Sequence, residues 1–155
     1  MKLKVFSLIV FTYMFTLNLF SQNSSINEID QMITLIKDEL DSFDKIEKIN
    51  SEVGTRCVYL KDGDVQLITV LLKGRIEKYV EWFYKKGLLI YTETRWNDEA
   101  SLKPLFIEKT YHNNGIMIAW LDSENSFVDS SSPRFKSLEK ELNSYAVKIR
   151  NEALE

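Results

Sequence analysis

The segment that begins at Ser25 has apolar residues at alternating steps of three and four, a spacing that places them on one face of a helix. These positions are Ile26, Ile29, Ile33, Ile36, Leu40 and Phe43. Ser25 and Glu28 have the spacing of a capping box, so the helix is predicted to begin at Ser25. Gly54 ends the region that can be helical. A helix packed on its own domain is the favoured interpretation, and a partner-binding helix is the alternative.

The C-terminal part of the chain repeats this pattern. Its apolar positions are Phe135, Leu138, Leu142, Tyr145 and Ile149. Ser132 followed by Pro133 suits an N-cap and a first helical turn. We expect this second helix to pack on the same sheet face as the first.

Between the two helical segments, the pattern changes to stretches rich in Val, Ile, Leu, Thr and aromatic residues, bounded by turn residues. The predicted strands cover residues 55–61, 65–72, 76–84, 88–96, 105–112 and 116–121. Asp62-Gly63 and Asn114-Gly115 are typical of two-residue turns, and Lys73-Gly74 and Lys86-Gly87 are weaker examples. Such turns join antiparallel neighbours. The sequence therefore predicts an α+β fold: an N-terminal helix, an antiparallel β-meander of five to six strands, and a C-terminal helix packed on one sheet face.

Two of the predicted hairpins resemble each other. Residues 83–90 align with residues 111–118, sharing aromatic positions, two polar turn residues, a glycine and three large apolar residues. True duplication and the general similarity of short hairpins remain equal alternatives.

The same two hairpins also resemble hairpins of other proteins. Residues 82–91 and 108–122 resemble uncharacterised small secreted bacterial proteins with two aromatic-x-x-Gly-x-Leu-Ile hairpins, the second ending in Trp-Leu/Ile-Asp. The resemblance runs from the first predicted strand to Asp122. This chain departs from it at His112, where the second motif usually has an aromatic residue. The resemblance implies a fold and a compartment, and no known activity.

The N-terminus has the layout of a secretory signal. Lys2 and Lys4 precede an apolar run over residues 5–20, and Ser21 is a small residue at which a signal peptidase can cut. The run is short for a membrane-spanning helix and polar residues interrupt it. We interpret residues 1–21 as a cleaved signal peptide and residues 22–155 as a single α+β domain, periplasmic or secreted; an uncleaved anchor is the alternative.

The charge of the domain limits its partners. The chain has a net charge of −3, which becomes −5 once Lys2 and Lys4 leave with the signal. An acidic domain is not expected to bind nucleic acid, or to be held at anionic lipid by charge alone. No stable membrane anchor is expected after signal cleavage.

Residues with catalytic or metal-binding chemistry are few. The chain has one cysteine, Cys57, and one histidine, His112, whereas a zinc site with such ligands usually needs three or four donors. Cys57 lies in a predicted strand and is interpreted as a small buried residue, with a reactive thiol or an intermolecular disulfide as alternatives. No nucleophile elbow and no phosphate-binding loop occur. We therefore predict no catalytic residue, no metal and no cofactor.

Two glutamates form the one carboxylate pair of interest. Glu81 and Glu93 lie on strands joined by the Lys86-Gly87 turn, which places them close together across the hairpin. Such a pair could act on a glycosidic bond. A solvated strand face, with basic residues balancing the acids, is the favoured interpretation.

Aromatic residues are concentrated in the third to sixth predicted strands. Two helices on one face would leave the other face accessible, so at least two of these rings are expected to be exposed within one patch. The predicted binding residues are Tyr79, Trp82, Tyr91, Arg95, Lys109, Tyr111 and Trp120. Cross-strand packing is the alternative explanation of the rings.

The sequence thus favours a non-enzymatic binding or interaction module of the cell envelope or extracellular space. Its partner would be an envelope protein, a peptide or a glycan. One alternative is a small glycan-acting hydrolase that uses Glu81 and Glu93. Another is a periplasmic inhibitor or immunity-type protein that presents the loop from Asn97 to Pro104.

The signal assignment predicts that the mature protein begins near Gln22 and is found in the periplasm or the medium. N-terminal sequencing of the protein from its native host tests this expectation. An intact, membrane-bound chain that begins at Met1 would contradict it.

Overall fold

The computed structural model describes residues 24–50, 54–98 and 104–154, so the predicted signal lies outside the described residues. Helix α1 includes residues 24–38, so the predicted first residue, Ser25, lies within it. A short 3-10 helix, Leu40–Ser42, follows it. The second helix, α2, spans Pro133–Leu154, and the Ser132 hydroxyl accepts a hydrogen bond from the Phe135 backbone N–H at 3.2 Å. The N-cap predicted at Ser132 is therefore confirmed.

Between the helices lies one antiparallel sheet whose strands pair in chain order, so the predicted meander is confirmed. Its seven strands are β1 (Asp44–Asn50), β2 (Gly54–Lys61), β3 (Asp64–Leu72), β4 (Ile76–Lys85), β5 (Leu88–Asp98), β6 (Pro104–Asn113) and β7 (Ile116–Leu121). Five to six strands were predicted, and this number is wrong because β1 was assigned to the region that could be helical.

Strand β1 escapes detection because its two apolar residues do not share a face. Ile46 pairs with Val58 and Ile49 pairs with Thr55, so their side chains point to opposite sides of the sheet. The other positions of the strand are charged or polar. Charged residues are typical of edge strands, where they oppose pairing with another chain.

Three hairpins of the sheet have the same local geometry. Each has a two-residue turn with positive φ at both positions: Asp62-Gly63, Lys86-Gly87 and Asn114-Gly115. In each, a bulge shifts the register after the second residue pair from the turn, at Tyr59/Leu60, Phe83/Tyr84 and Tyr111/His112. The likeness seen between the second and third hairpins therefore extends to the first.

The two helices pack on opposite faces of the sheet, so the prediction of a shared face is wrong. Helix α1 buries Ile29 and Ile33 in one cluster with Leu67, Phe83 and Tyr91. On the other face, α2 buries a second set of side chains: Ala146, Ile149 and Ala153 with Val58, Ile68, Val80, Trp82 and Tyr84. Neighbouring residues of a strand point to opposite faces, and both members of pairs such as Leu67-Ile68 are large and apolar. The apolar side chains on both faces of the sheet therefore have to be buried by another element.

Hydrogen bonds fix α2 above the hairpin turns. The Tyr84 hydroxyl donates to the Ala146 carbonyl at 3.0 Å, and the Asn143 side-chain amide donates to the Gly115 carbonyl at 2.9 Å. Arg150 donates to the Gly87 carbonyl. Both helices thus cover the part of the sheet nearest these turns. Among the described residues, no helix is long and apolar enough to cross a membrane.

We expect Ile33→Ala to reduce the free energy of unfolding by about 2 to 4 kcal/mol, because it leaves a void between α1 and the sheet. Leu35→Ala is the matched control on the same helix: its side chain is 59% exposed, and we expect a change below about 0.5 kcal/mol. Urea denaturation followed by circular dichroism measures both values. Equal, small effects would show that α1 is not docked on this face.

Candidate functional site

The aromatic rings proposed as a binding surface are not exposed together. Trp82, Tyr91, Tyr111 and Trp120 are each no more than 5% exposed, and Tyr79 is half-buried. The prediction that at least two of the five rings are accessible is wrong. The reason is that α1 packs on the sheet face that was expected to be open.

The sheet register also divides these residues between two faces. Trp82, Thr92, Thr110 and Trp120 are consecutive partners across β4 to β7, on the face that α2 covers. The remaining predicted residues lie on the α1 side: Tyr79, Tyr91, Arg95, Lys109 and Tyr111. They do not form one patch with the two tryptophans.

On the α1 side the structure brings Glu81 and Glu93 together. The two residues are direct partners across β4 and β5, because the bulge at Phe83/Tyr84 shifts the register by one residue. Their side chains are only 8% and 10% exposed. The closeness predicted from the turn is confirmed, and both side chains lie on one face.

Basic side chains surround this carboxylate pair. Arg95 bridges it, with Nε 2.5 Å from Oε1 of Glu93 and Nη2 3.2 Å from Oε2 of Glu81. Lys37, near the end of α1, places its Nζ 3.0 Å from the same Glu81 oxygen, and Lys109 lies 4.0 Å from Glu93. We call Lys37, Glu81, Glu93, Arg95 and Lys109 the charged cluster.

Two tyrosines complete the hydrogen bonding of the carboxylates. The Tyr91 hydroxyl donates to Oε2 of Glu93 at 2.5 Å, and the Tyr79 hydroxyl donates to Oε1 of Glu81 at 3.3 Å. Burial and the adjacent Glu81 carboxylate raise the pKa of Tyr79 to about 12. Burial and the bond to Glu93 raise the pKa of Tyr91 far above its usual value. Both hydroxyls therefore remain protonated donors at neutral pH.

The electrostatics of the cluster suit a structural role. Burial by itself would raise the pKa of Glu93, but hydrogen bonds from Tyr91 and Arg95 and the charges of Arg95 and Lys109 together hold it below its usual value. A glycosidase needs one carboxylic acid that stays protonated to donate to the leaving group. Glu93 is held ionised, and both carboxylates are buried and bound to Arg95, with Lys37 on Glu81, so neither is open to a substrate and the geometry does not favour the hydrolase alternative.

His112 is part of the core. It is fully buried, and Nε2 lies 2.9 Å from the Thr110 hydroxyl. Burial lowers the pKa of His112 to about 4, which leaves the ring neutral at pH 7. In the hairpin repeat His112 occupies the position of Tyr84, which is also buried. The histidine that departs from the family resemblance thus fills a core position.

Cys57 is a buried free thiol, which confirms the favoured interpretation of this residue. Within the described ranges, no group of three or more His, Cys, Asp or Glu side chains is placed to hold a metal ion.

A partly exposed surface lies at the strand ends opposite the hairpin turns. Leu72, Lys78, Trp96 and Phe106 are consecutive partners across β3 to β6 on the α2 side. The Trp96 and Phe106 ring centroids are 5.2 Å apart, and Nζ of Lys78 lies 5.4 Å from the Trp96 ring centroid. We call these four residues, with Ile76 at their edge, the aromatic strip.

Trp96 and Phe106 of the aromatic strip were not among the binding residues predicted from the sequence. Trp96 and Phe106 flank the predicted loop from Asn97 to Pro104, and their position beside this longer break was the signal available in the sequence. The loop itself includes residues 99–103, which lie outside the described residues.

Comparison of the chain with family models, with curated proteins and with solved structures found no match.

We expect Arg95→Met to lower the free energy of unfolding at pH 7 by roughly 2 to 4 kcal/mol, because it leaves two adjacent buried carboxylates without their shared cation. In the wild type, the pKa of Glu93 is lower in the folded than in the unfolded protein. The ionised Glu93 therefore adds to the free energy of unfolding above the unfolded-state pKa of about 4.3, and this contribution is lost as the pH falls through the folded-state pKa. The deficit of the variant should therefore shrink below about pH 4. Urea denaturation at pH 7 and pH 3.5 measures it.

The matched control is Lys61→Met, which removes the exposed pair that Lys61 forms with Glu39. An exposed pair contributes little, so this change should stay within about 1 kcal/mol at both pH values. A deficit in Arg95→Met that is small, or that does not change with pH, would contradict the electrostatic role of the cluster.

Proposed function

We propose that the protein is a non-enzymatic binding module of the cell envelope or extracellular space, and that it binds a partner protein through the aromatic strip. The observation that carries this proposal is a group of partly exposed apolar and aromatic side chains at the strand ends opposite the hairpin turns, where Trp96, Phe106 and Ile76 belong to none of the buried clusters. Leu72, Ile76 and Phe106 are 37%, 50% and 41% exposed. Contiguous apolar surface of this kind on a soluble domain marks an interaction site.

The geometry of the strip suits a protein contact. Trp96 is half-buried, held on one side by the Phe106 ring and on the other by the Lys78 ammonium group. A ring fixed in this way loses little conformational entropy on binding, which is the property of residues that dominate interface energies. Lys78 supplies a charged group beside the apolar centre, as interface rims commonly do.

A protein partner is favoured over a glycan. Leu72, Ile76 and Phe106 offer apolar area and no side-chain hydrogen-bond donor or acceptor. A sugar-binding face must pair the hydroxyl groups that it removes from water, whereas a protein partner can present apolar residues to this area.

The compartment in this proposal is supported by the signal-like residues 1–21 and by the resemblance to secreted proteins. The acidic charge of residues 22–155 agrees with a partner other than nucleic acid.

Site-specific photo-crosslinking tests the proposal. Residues 22–155 are prepared with p-benzoylphenylalanine in place of Phe106, exposed to envelope extract of the native host and irradiated. The control carries the same group in place of Phe127, which is 64% exposed and adjoins the edge strand β7. We expect a protein that crosslinks at position 106 and not at position 127.

The crosslinked protein is then purified, and its affinity is measured by calorimetry. Trp96→Ala should weaken binding at least tenfold, which corresponds to about 1.4 kcal/mol, while Phe127→Ala should change it less than twofold. Circular dichroism verifies that both variants are folded. Equal affinity of wild type and Trp96→Ala would overturn the proposal, and so would binding to a glycan array that depends on Trp96.

A further inference from the structure

A groove with a volume of about 330 Å³ lies between the C-terminal half of α2 and strands β1 to β3. Its apolar lining comes from both the sheet and the helix, with Val70 and Leu72 on β3 and Tyr145 and Ile149 on α2. Ile149 is buried in the core, whereas Tyr145 is 48% exposed. The groove therefore has an apolar base that opens to solvent. Its volume is at the lower end of the range for small-molecule sites.

The charged residues around the groove are mostly basic. Among the described residues, Lys48, Arg56 and Lys148 line it together with one acid, Glu152. Glu152 is shared, since Arg56 lies 3.7 Å and Lys148 lies 3.9 Å from its carboxylate oxygens. Lys48 makes no ion pair with the described part of the chain. One carboxylate thus faces three cations, on a protein whose net charge is −3.

Arg56 is the best placed of these cations to hold an anion. Its side chain is 22% exposed, so the aliphatic part is largely covered while the guanidinium reaches the groove. At 3.7 Å its contact with Glu152 is longer than a hydrogen bond. The planar guanidinium can form two parallel hydrogen bonds to a carboxylate or phosphate.

We propose that this groove binds a small anionic amphiphile, a molecule with one carboxylate or phosphate and a short apolar chain. The head group lies against Arg56, with Lys48 and Lys148 nearby, and the chain lies on Val70, Leu72 and Ile149. The excess of positive charge selects the sign of the head group, and the apolar base selects a ligand with a hydrocarbon body.

Nuclear magnetic resonance titration tests this assignment with decanoate as the probe, below its micelle concentration. Residues 22–155 labelled with ¹⁵N should show saturable shifts confined to the groove, including the amides of Arg56, Leu72 and Ile149. Decyltrimethylammonium has the same chain and the opposite charge, and we expect it to bind at least tenfold more weakly. Equal binding of the two amphiphiles would overturn the proposal.

Variants separate the head-group contact from general charge. Arg56→Gln should weaken decanoate binding at least fivefold, whereas Lys140→Gln, on the exposed surface of α2 outside the groove lining, should change it less than twofold. Leu72→Asn should also weaken it, because the chain loses apolar contact. Retained ¹⁵N spectra verify folding. Undiminished affinity in both Arg56→Gln and Leu72→Asn would contradict the site.

Two further measurements identify the source of the ligand and separate the groove from the rings of the aromatic strip, with which it shares Leu72. Sedimentation with vesicles of phosphatidylglycerol tests a membrane surface; binding to vesicles without shifts from decanoate would overturn the proposal in favour of adsorption to anionic lipid. Trp96→Ala should retain decanoate affinity, because Trp96 does not line the groove. Partner binding through the strip and amphiphile binding in the groove can therefore fail separately.

Discussion

Burial of two apolar faces at once is the constraint on which this structure depends. Near the three tight turns, successive strand residues such as Leu67-Ile68 and Phe83-Tyr84 are large and nearly inaccessible, and they point to opposite sides of the sheet. A single covering helix would leave half of these side chains in water, at a cost of about 1.5 to 3 kcal/mol for each large residue. The chain therefore places α1 on one face and α2 on the other.

This use of both helices determines where a partner or ligand can bind. The apolar clusters beneath α1 and α2 do not include the ends of β4 to β6 opposite the tight turns. The aromatic strip lies there on the α2 side, and the basic groove lies where α2 passes over β1 to β3. The rings predicted to form the binding surface are mostly core residues. Trp96 and Phe106, next to the longest break between strands, remain partly exposed instead.

The charged cluster occupies the boundary between the covered and open parts of the α1 side. Lys37, close to the end of α1, contacts Glu81, and Arg95 joins the two carboxylates from the side that extends beyond the helix. The charged cluster thus connects α1 to the sheet by ion pairs at the edge of their apolar contact. A carboxylate pair that looks like hydrolytic machinery in the sequence is a network of ion pairs in the structure.

The sequence alone determined the α+β class, the meander and three of the four predicted two-residue turns, because apolar periodicity and Asx-Gly or Lys-Gly pairs act over a few neighbouring residues; the fourth, Lys73-Gly74, lies in a longer connection. It also indicated the closeness of Glu81 and Glu93. Only the tertiary structure decided that these residues are direct partners, since a bulge at Phe83/Tyr84 changes the register by one position. Strand β1 was missed because an edge strand with Ile46 and Ile49 on opposite faces has no period of two. Contacts between segments distant in the chain likewise decided on which face each helix packs. The exposure of each aromatic side chain depends on the same contacts. For this reason Trp82 and Trp120, plausible binding residues by composition, became core, and the open surface appeared at Trp96 and Phe106 instead.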